Sequence, residues 1–198
     1  MNLRAANVID PQVEGHYAFY SFANQLSTQA HYHDFYEVFL IHKGSVYHHV
    51  NGEVHLLNSG ALVLIRPQDT HHYAPDADHP CELINLAFLR STFADLSAYL
   101  DLTARQNILL EPQLPPQLSL SAQEKATLST QLQELGRLIY SDKARARLIV
   151  RTGLAHIMGL FVMAVDEDSA PADAPAWLLD LCKQMQRREH IIEGRAAL

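Results

Sequence analysis

Side chains able to bind a metal ion crowd the run HYHDFYEVFLIHKG, which spans residues 31–44. If the run is extended, its side chains alternate faces, and His31, His33 and Glu37 all point the same way. Two imidazoles and one carboxylate suit a divalent first-row ion, which usually takes at least four donors, with water or substrate filling any gap. A fourth donor must then come from elsewhere. Downstream, Gly60 opens the apolar run Ala61–Ile65, Arg66-Pro67-Gln68-Asp69 stops it, and His71 and His72 follow directly. Eight of the twelve histidines lie between His31 and His72. Histidines on a half-polar strand are more often surface or hydrogen-bonded core residues than ligands, so a single pair would carry little weight.

The elements that must position these groups read as short strands. His16 to Phe22 is rich in aromatics and fits a first strand. Ser45–Val50 and Glu53–Leu57 flank Asn51-Gly52, and Asn-Gly between two such runs predicts a hairpin, because both positions tolerate positive φ. Asn58-Ser59-Gly60 predicts a further turn, and residues 75–80 a loop before the strand Cys81–Phe88. Closely spaced strands of this kind predict a barrel or a sandwich.

With those elements in place, His31-x-His33, Glu37, Gly44, Gly60 and His71 together resemble the two-part cupin motif. The resemblance implies a small antiparallel β-barrel, of the double-stranded β-helix or jelly-roll kind, with a divalent metal held by His31, His33, Glu37 and His71. Zinc or nickel is the expected ion, with iron or manganese as alternatives. Gln68 and Gln25 stand where that family commonly has glycine; neither is a ligand, and Gln68 leaves open whether His71 or His72 is the fourth donor. His42, His48, His49, His55 and His79 match no ligand position and read as surface or pocket-lining residues. A barrel that has kept these residues without the metal is the competing reading.

At 198 residues the chain suits one domain or one and a half and can bury roughly 70% of its unfolded surface without staples. A net charge of −7 and the absence of clustered Lys and Arg argue against an extended contact with a phosphate backbone. Cys81 and Cys182 match no C-x-x-C pattern and read as reduced thiols. The N-terminal stretch lacks a signal-peptide core, so a cytoplasmic protein is expected. The longest apolar run, Gly153 to Val165, falls short of the ~20 residues a bilayer requires and reads as a buried helix, with no membrane contact.

Past about Arg90 the pattern becomes helical. Ser121-x-x-Glu124 is a capping box ahead of Leu128, Leu132, Leu135 and Ile139, an apolar stripe that serves either as a core face or as a dimer seam. Ala144 to Val165 predicts a second helix. Residues 166–174, acidic and proline-bearing, read as a linker, and Trp177, Leu178, Leu181 and Met185 give one apolar face to a last helix.

The expected organisation is therefore mainly β with a helical C-terminal third: a cupin barrel over 1–92, a helical connector over 93–165, a linker over 166–176, and a final segment over 177–198. This order resembles the sensor half of AraC-type transcription regulators, most of all the chitobiose-operon regulators, on the His-x-His and Tyr-Glu pattern and the proline-tryptophan-leucine entry to the last helix. The resemblance implies that 177–198 begins a truncated helix-turn-helix domain and that DNA would be bound only through a C-terminal domain absent from this chain. It also implies a small-molecule effector, with a saccharide expected among aromatic and polar side chains. Tyr36, Phe39, Tyr47 and His72 are the expected effector contacts, and a homodimer through Leu128, Leu132, Leu135 and Ile139 is allowed. A metal-dependent cupin enzyme, a dioxygenase or isomerase, is the alternative; it ranks second because no further acid or base can be placed and no catalytic residue is assigned.

Overall fold

The computed structural model describes residues 2–22, 28–77, 79–102 and 109–168. In chain order the elements are β1 (Asn2–Leu3), α1 (Ala5–Val8), β2 (Gly15–Phe22), β3 (Tyr32–His33), β4 (Tyr36–Lys43), β5 (Ser45–Val50), β6 (Glu53–Asn58), β7 (Ala61–Ile65), β8 (His71–Pro75), β9 (Cys81–Phe88), α2 (Arg90–Tyr99), β10 (Gln117–Ser119), α3 (Ala122–Leu138) and α4 (Lys143–Asp168). The chain divides into two units, Met1–Val162 and Met163–Leu198. All the described strands belong to the first.

Five strands form an antiparallel sheet in the order β10-β7-β4-β9-β2, and three form a second in the order β6-β5-β8. The short β1 and β3 pair in parallel, Leu3 opposite His33. The mainly β, cupin-type barrel with helices in its C-terminal part is thus present. Its hairpin turns at Asn51 and Gly52, both with positive φ (51° and 90°), the geometry that the Asn-Gly pair favours.

Alternation along the large sheet sorts its side chains into two layers. Val38, Leu40, Leu62, Leu64, Ile84 and Leu86 face the helices and join Leu128, Leu132, Leu135, Val150, Leu154 and Phe161 in one apolar cluster. Phe39, Ile41, Val63, Ile65 and Leu83 face the other way, against Val46, Leu57 and Tyr73 of the smaller sheet. Helix α3 starts at the expected capping box: the Glu124 amide donates to Ser121 Oγ (3.3 Å), and the Ser121 amide donates to Glu124 Oε2 (2.8 Å). Gly136 lets α3 lie close on β2, since a Cβ there would meet the ring of Tyr17.

Three expectations change. Leu128, Leu132, Leu135 and Ile139 are all at most 4% exposed within the chain's own core, so this stripe has no apolar surface left to serve as a dimer seam. The barrel does not end at residue 92, because β10 returns to pair with β7 as an edge strand. Helix α4 runs to Asp168, three residues into the stretch read as a linker, and its portion Lys143–Ala164 is by length and composition able to cross a membrane. Ala146, Val150, Leu154, Ile157 and Phe161 of that helix are buried in the core at spacings of four, four, three and four, which accounts for its apolar character. Gln25, the remainder of the linker, Cys182 and the expected last helix lie outside the described residues.

Candidate functional site

The site occupies the inner layer. Strand β4 carries Glu37 inward one position away from Tyr36, which faces the helices. His33 arrives on β3, held against the N-terminal segment by the β1 pairing and by Asp34, whose Oδ1 accepts from the Ala5 amide (2.6 Å). His71 opens β8 and is locked to His31 by reciprocal backbone hydrogen bonds of 3.0 and 2.9 Å.

The turn that delivers His71 is built on a buried ion pair. Arg66 and Asp69 are 1% and 0% exposed and meet at 2.8 Å. The same guanidinium donates to the carbonyls of Pro112 (2.7 Å) and Leu110 (3.3 Å), and Asn51 Nδ2 donates to Asp69 Oδ1 (2.8 Å) while Asn51 Oδ1 accepts from the Thr70 amide (3.0 Å). Hairpin, turn and connector are thereby tied together two residues before the histidine.

His33, Glu37 and His71 are all buried, and one potential donor atom from each lies within 4.8 Å of the others. Glu37 Oε2 is 3.9 Å from His33 Nε2, and Glu37 Oε1 is 4.0 Å from His71 Nε2. His33 Nδ1 lies 2.7 Å from the Phe35 carbonyl, which can only accept, so Nδ1 carries the proton and Nε2 presents a bare lone pair. That Nε2, and both ring nitrogens of His71, are buried without a hydrogen-bond partner among the described residues. Burial pushes His33 down to about 4 and His71 to about 2, so both rings are neutral at pH 7. Glu37 is pushed up to about 7 by desolvation, with hydrogen bonds from Asn85 and Tyr73 pulling the other way. Two neutral imidazoles with free lone pairs and a carboxyl poised to lose its proton are a donor set that fits a divalent ion.

His31 stands beside this group rather than in it. Its ring centroid is 4.4 Å from that of His71, it is half-buried, and its Nδ1 donates to the Gln29 carbonyl (2.9 Å). The strand's alternation turns His71 inward, where it is 0% exposed, whereas His72 stacks on His49 at 4.3 Å on the other face.

A cavity of about 260 Å³ opens onto the cluster, with His31, Glu37, Tyr73, Asn85, Phe35, His16, Tyr20, Thr28, Ala87, Leu3 and Val8 in its wall. None of the four expected effector contacts lines it. Phe39 does face the interior, but as a fully buried ring packed on Tyr73 and His48, both at centroid distances of 5.1 Å. Tyr36 lies on the opposite face of β4, stacked on Phe93 at 4.3 Å. Tyr47 is 39% exposed and, like His72, sits out of phase with the inward residues of its strand.

One interior imidazole, read from sequence as a surface or pocket-lining residue, is buried and lines a cavity. His48 is 1% exposed, pushed down to about 3 by burial, and its ring centroid is 5.7 Å from that of His71. Its phase could have revealed it, since Val46, His48 and Val50 alternate inward along β5. Asn85 and Tyr73 carried no signal, because only strand pairing brings them to Glu37.

No curated protein matches the chain. Among solved structures, ToxT K231A from Vibrio cholerae is similar in fold, at 12% identity and a TM-score of 0.59, covering 91% of this chain and 73% of that one. ToxT from Vibrio cholerae in a P21 form aligns at 12% identity and a TM-score of 0.51, covering 93% of this chain and 76% of that one. A cupin 2 conserved barrel domain protein from Salinispora arenicola overlaps 40% of this chain and 67% of its own, at 16% identity and a TM-score of 0.38. Residues 15–158 match the AraC-like ligand binding domain, which takes in the barrel, α2, α3 and most of α4, and the chain belongs to that family.

Proposed function

We propose that this chain senses a small polar effector, with saccharides as the class, for an AraC-type transcription regulator, and that it does so with a divalent metal held by His33, Glu37 and His71. The observation that carries the reading is the bare-nitrogen cluster, whose Glu37 lies in the wall of a cavity large enough for a small molecule. An ion there would serve as a Lewis acid for effector oxygens. Zinc or nickel suits the two imidazoles, and iron or manganese suits the carboxylate.

The chain's own residues supply the rest of the recognition. Phe35 and Tyr20 offer aromatic faces, and Thr28, Asn85 and His16 offer hydrogen-bonding groups, a mixture that suits a polyhydroxyl ligand. His31 stands at the cavity wall beside His71, where it can meet the effector or complete the ligand set. DNA binding would belong to the regulator as a whole, in the cytoplasm.

The test is calorimetry of the metal-loaded protein against a panel of small saccharides that includes chitooligosaccharides, with mass analysis of what is recovered. A compound that binds and returns unchanged, and that no longer binds His33→Ala, supports the reading. A compound returned chemically altered replaces it with the cupin enzyme. Absence of any binding removes the saccharide class.

A further inference from the structure

We propose that His48 and His55 form a second metal site, distinct from the first cluster, for an imidazole-preferring divalent ion such as nickel, copper or zinc. The hairpin β5–β6 sets His48 directly opposite His55. Cross-strand partners project from the same face with Cβ atoms ~4.5–5.5 Å apart, close enough for two rings to share an occupant. The Nε2 atom of each ring is cut off from solvent and has no hydrogen-bond partner among the described residues. Buried polar atoms nearly always have a partner, so two without one, on cross-strand partners that line the same cavity, call for a common explanation.

Both rings line a cavity of about 160 Å³ whose remaining wall is Val50, Leu114, Pro115 and Gln117. It shares no residue with the effector cavity, and neither histidine belongs to the cluster of His33, Glu37 and His71. Gln117 is the remaining polar side chain in that wall, and its amide oxygen offers a third donor. Two imidazoles and a neutral oxygen, with no carboxylate, disfavour magnesium, calcium and manganese and favour the ions that bind nitrogen well. Gln117 opens β10, so an ion held there would join the edge hairpin of one sheet to the edge strand of the other.

Equilibrium dialysis against nickel, followed by elemental analysis, tests the assignment. The wild-type protein is expected to hold two equivalents, His55→Gln one, and His33→Ala one. His49→Ala, on the outward stack, should leave the count at two. As a reading independent of stoichiometry, nickel should raise the melting temperature of His33→Ala and fail to raise that of the His33→Ala/His55→Gln double variant. An unchanged count in His55→Gln, or no nickel-dependent rise in His33→Ala, overturns the second site and leaves water as the occupant. Failure of the first site instead gives one equivalent in wild type, one in His33→Ala and none in His55→Gln.

Discussion

On β4, Tyr36, Val38 and Leu40 face the helices while Glu37, Phe39 and Ile41 face the smaller sheet, and titratable groups join the apolar ones on the second side. The helix side belongs to an apolar cluster whose buried members run from Val13 to Phe161. The inner side surrounds three buried imidazoles, His33, His48 and His71, and a carboxyl, with bare nitrogen atoms on each ring. Unpartnered buried polar groups cost stability. The helix layer therefore serves stability alone, whereas the inner layer holds the proposed metal site beside an apolar cluster of its own.

A substitution in the helix layer should break the fold and spare the site. Leu135→Ala removes a fully buried side chain from α3 and is expected to cost about 2–5 kcal/mol. Chemical denaturation measures the loss, and the protein that remains folded should bind metal with unchanged affinity. A large drop in that affinity would show that the layers are not separable.

His71→Ala is the reverse experiment. It should lower metal affinity by more than the ~10–100-fold that outer-shell partners typically cost, with a small change in the denaturation midpoint of the metal-free protein. Competition with a chromophoric chelator reads the affinity. His72→Ala, which alters the outward stack on His49, is the control and should change little. The opposite pattern would place the donor one residue further on.

How much of this was legible depended on how local each signal is. The Asn51-Gly52 hairpin, the runs Ala61–Ile65 and Cys81–Phe88 and the capping box at Ser121 are all readable because turn chemistry and capping involve residues a few positions apart. The inward position of Glu37 was readable too, and the same alternation sends Tyr36 to the helices, so that misplacement came from attending to residue type over phase. The same alternation turns His48 inward, so that of the two alternatives, surface or pocket-lining, the second holds. Strand β10 is three residues after a proline pair and exists only through its pairing with β7, which no local pattern encodes. The Arg66–Asp69 clamp likewise depends on carbonyls from Leu110 and Pro112, more than forty positions away.

The inner layer also predicts an unusual pH dependence. Ordinary imidazoles, titrating near 6.5, would each compete a proton against the metal below that value. Here His33 and His71 stay neutral down to about 4 and about 2, whereas Glu37, raised to about 7, is protonated as pH falls below neutrality. Metal affinity should then drop about tenfold per pH unit between 6.5 and 5, the slope of a single proton released on binding. Above pH 8, with Glu37 already ionised, the affinity should level off with respect to this group. A slope of two or three protons in that window would mean that the histidines titrate as if exposed.

The smallest expected effect isolates the hydroxyl beside that carboxyl. Tyr73 Oη donates to Glu37 Oε1 across a long 3.4 Å contact, and a hydrogen bond to the charged form favours ionisation. Tyr73→Phe keeps the ring that packs on Phe39 and His48 and removes only the donor. Stability should change by less than about 1 kcal/mol, within the range for a weak hydrogen bond. The pH at which metal affinity begins to fall should move upward by less than about one unit, so that binding at pH 6 weakens a few-fold while binding above pH 8 is preserved. An equal loss at both pH values would instead mean that the hydroxyl shapes the site without tuning the Glu37 carboxyl.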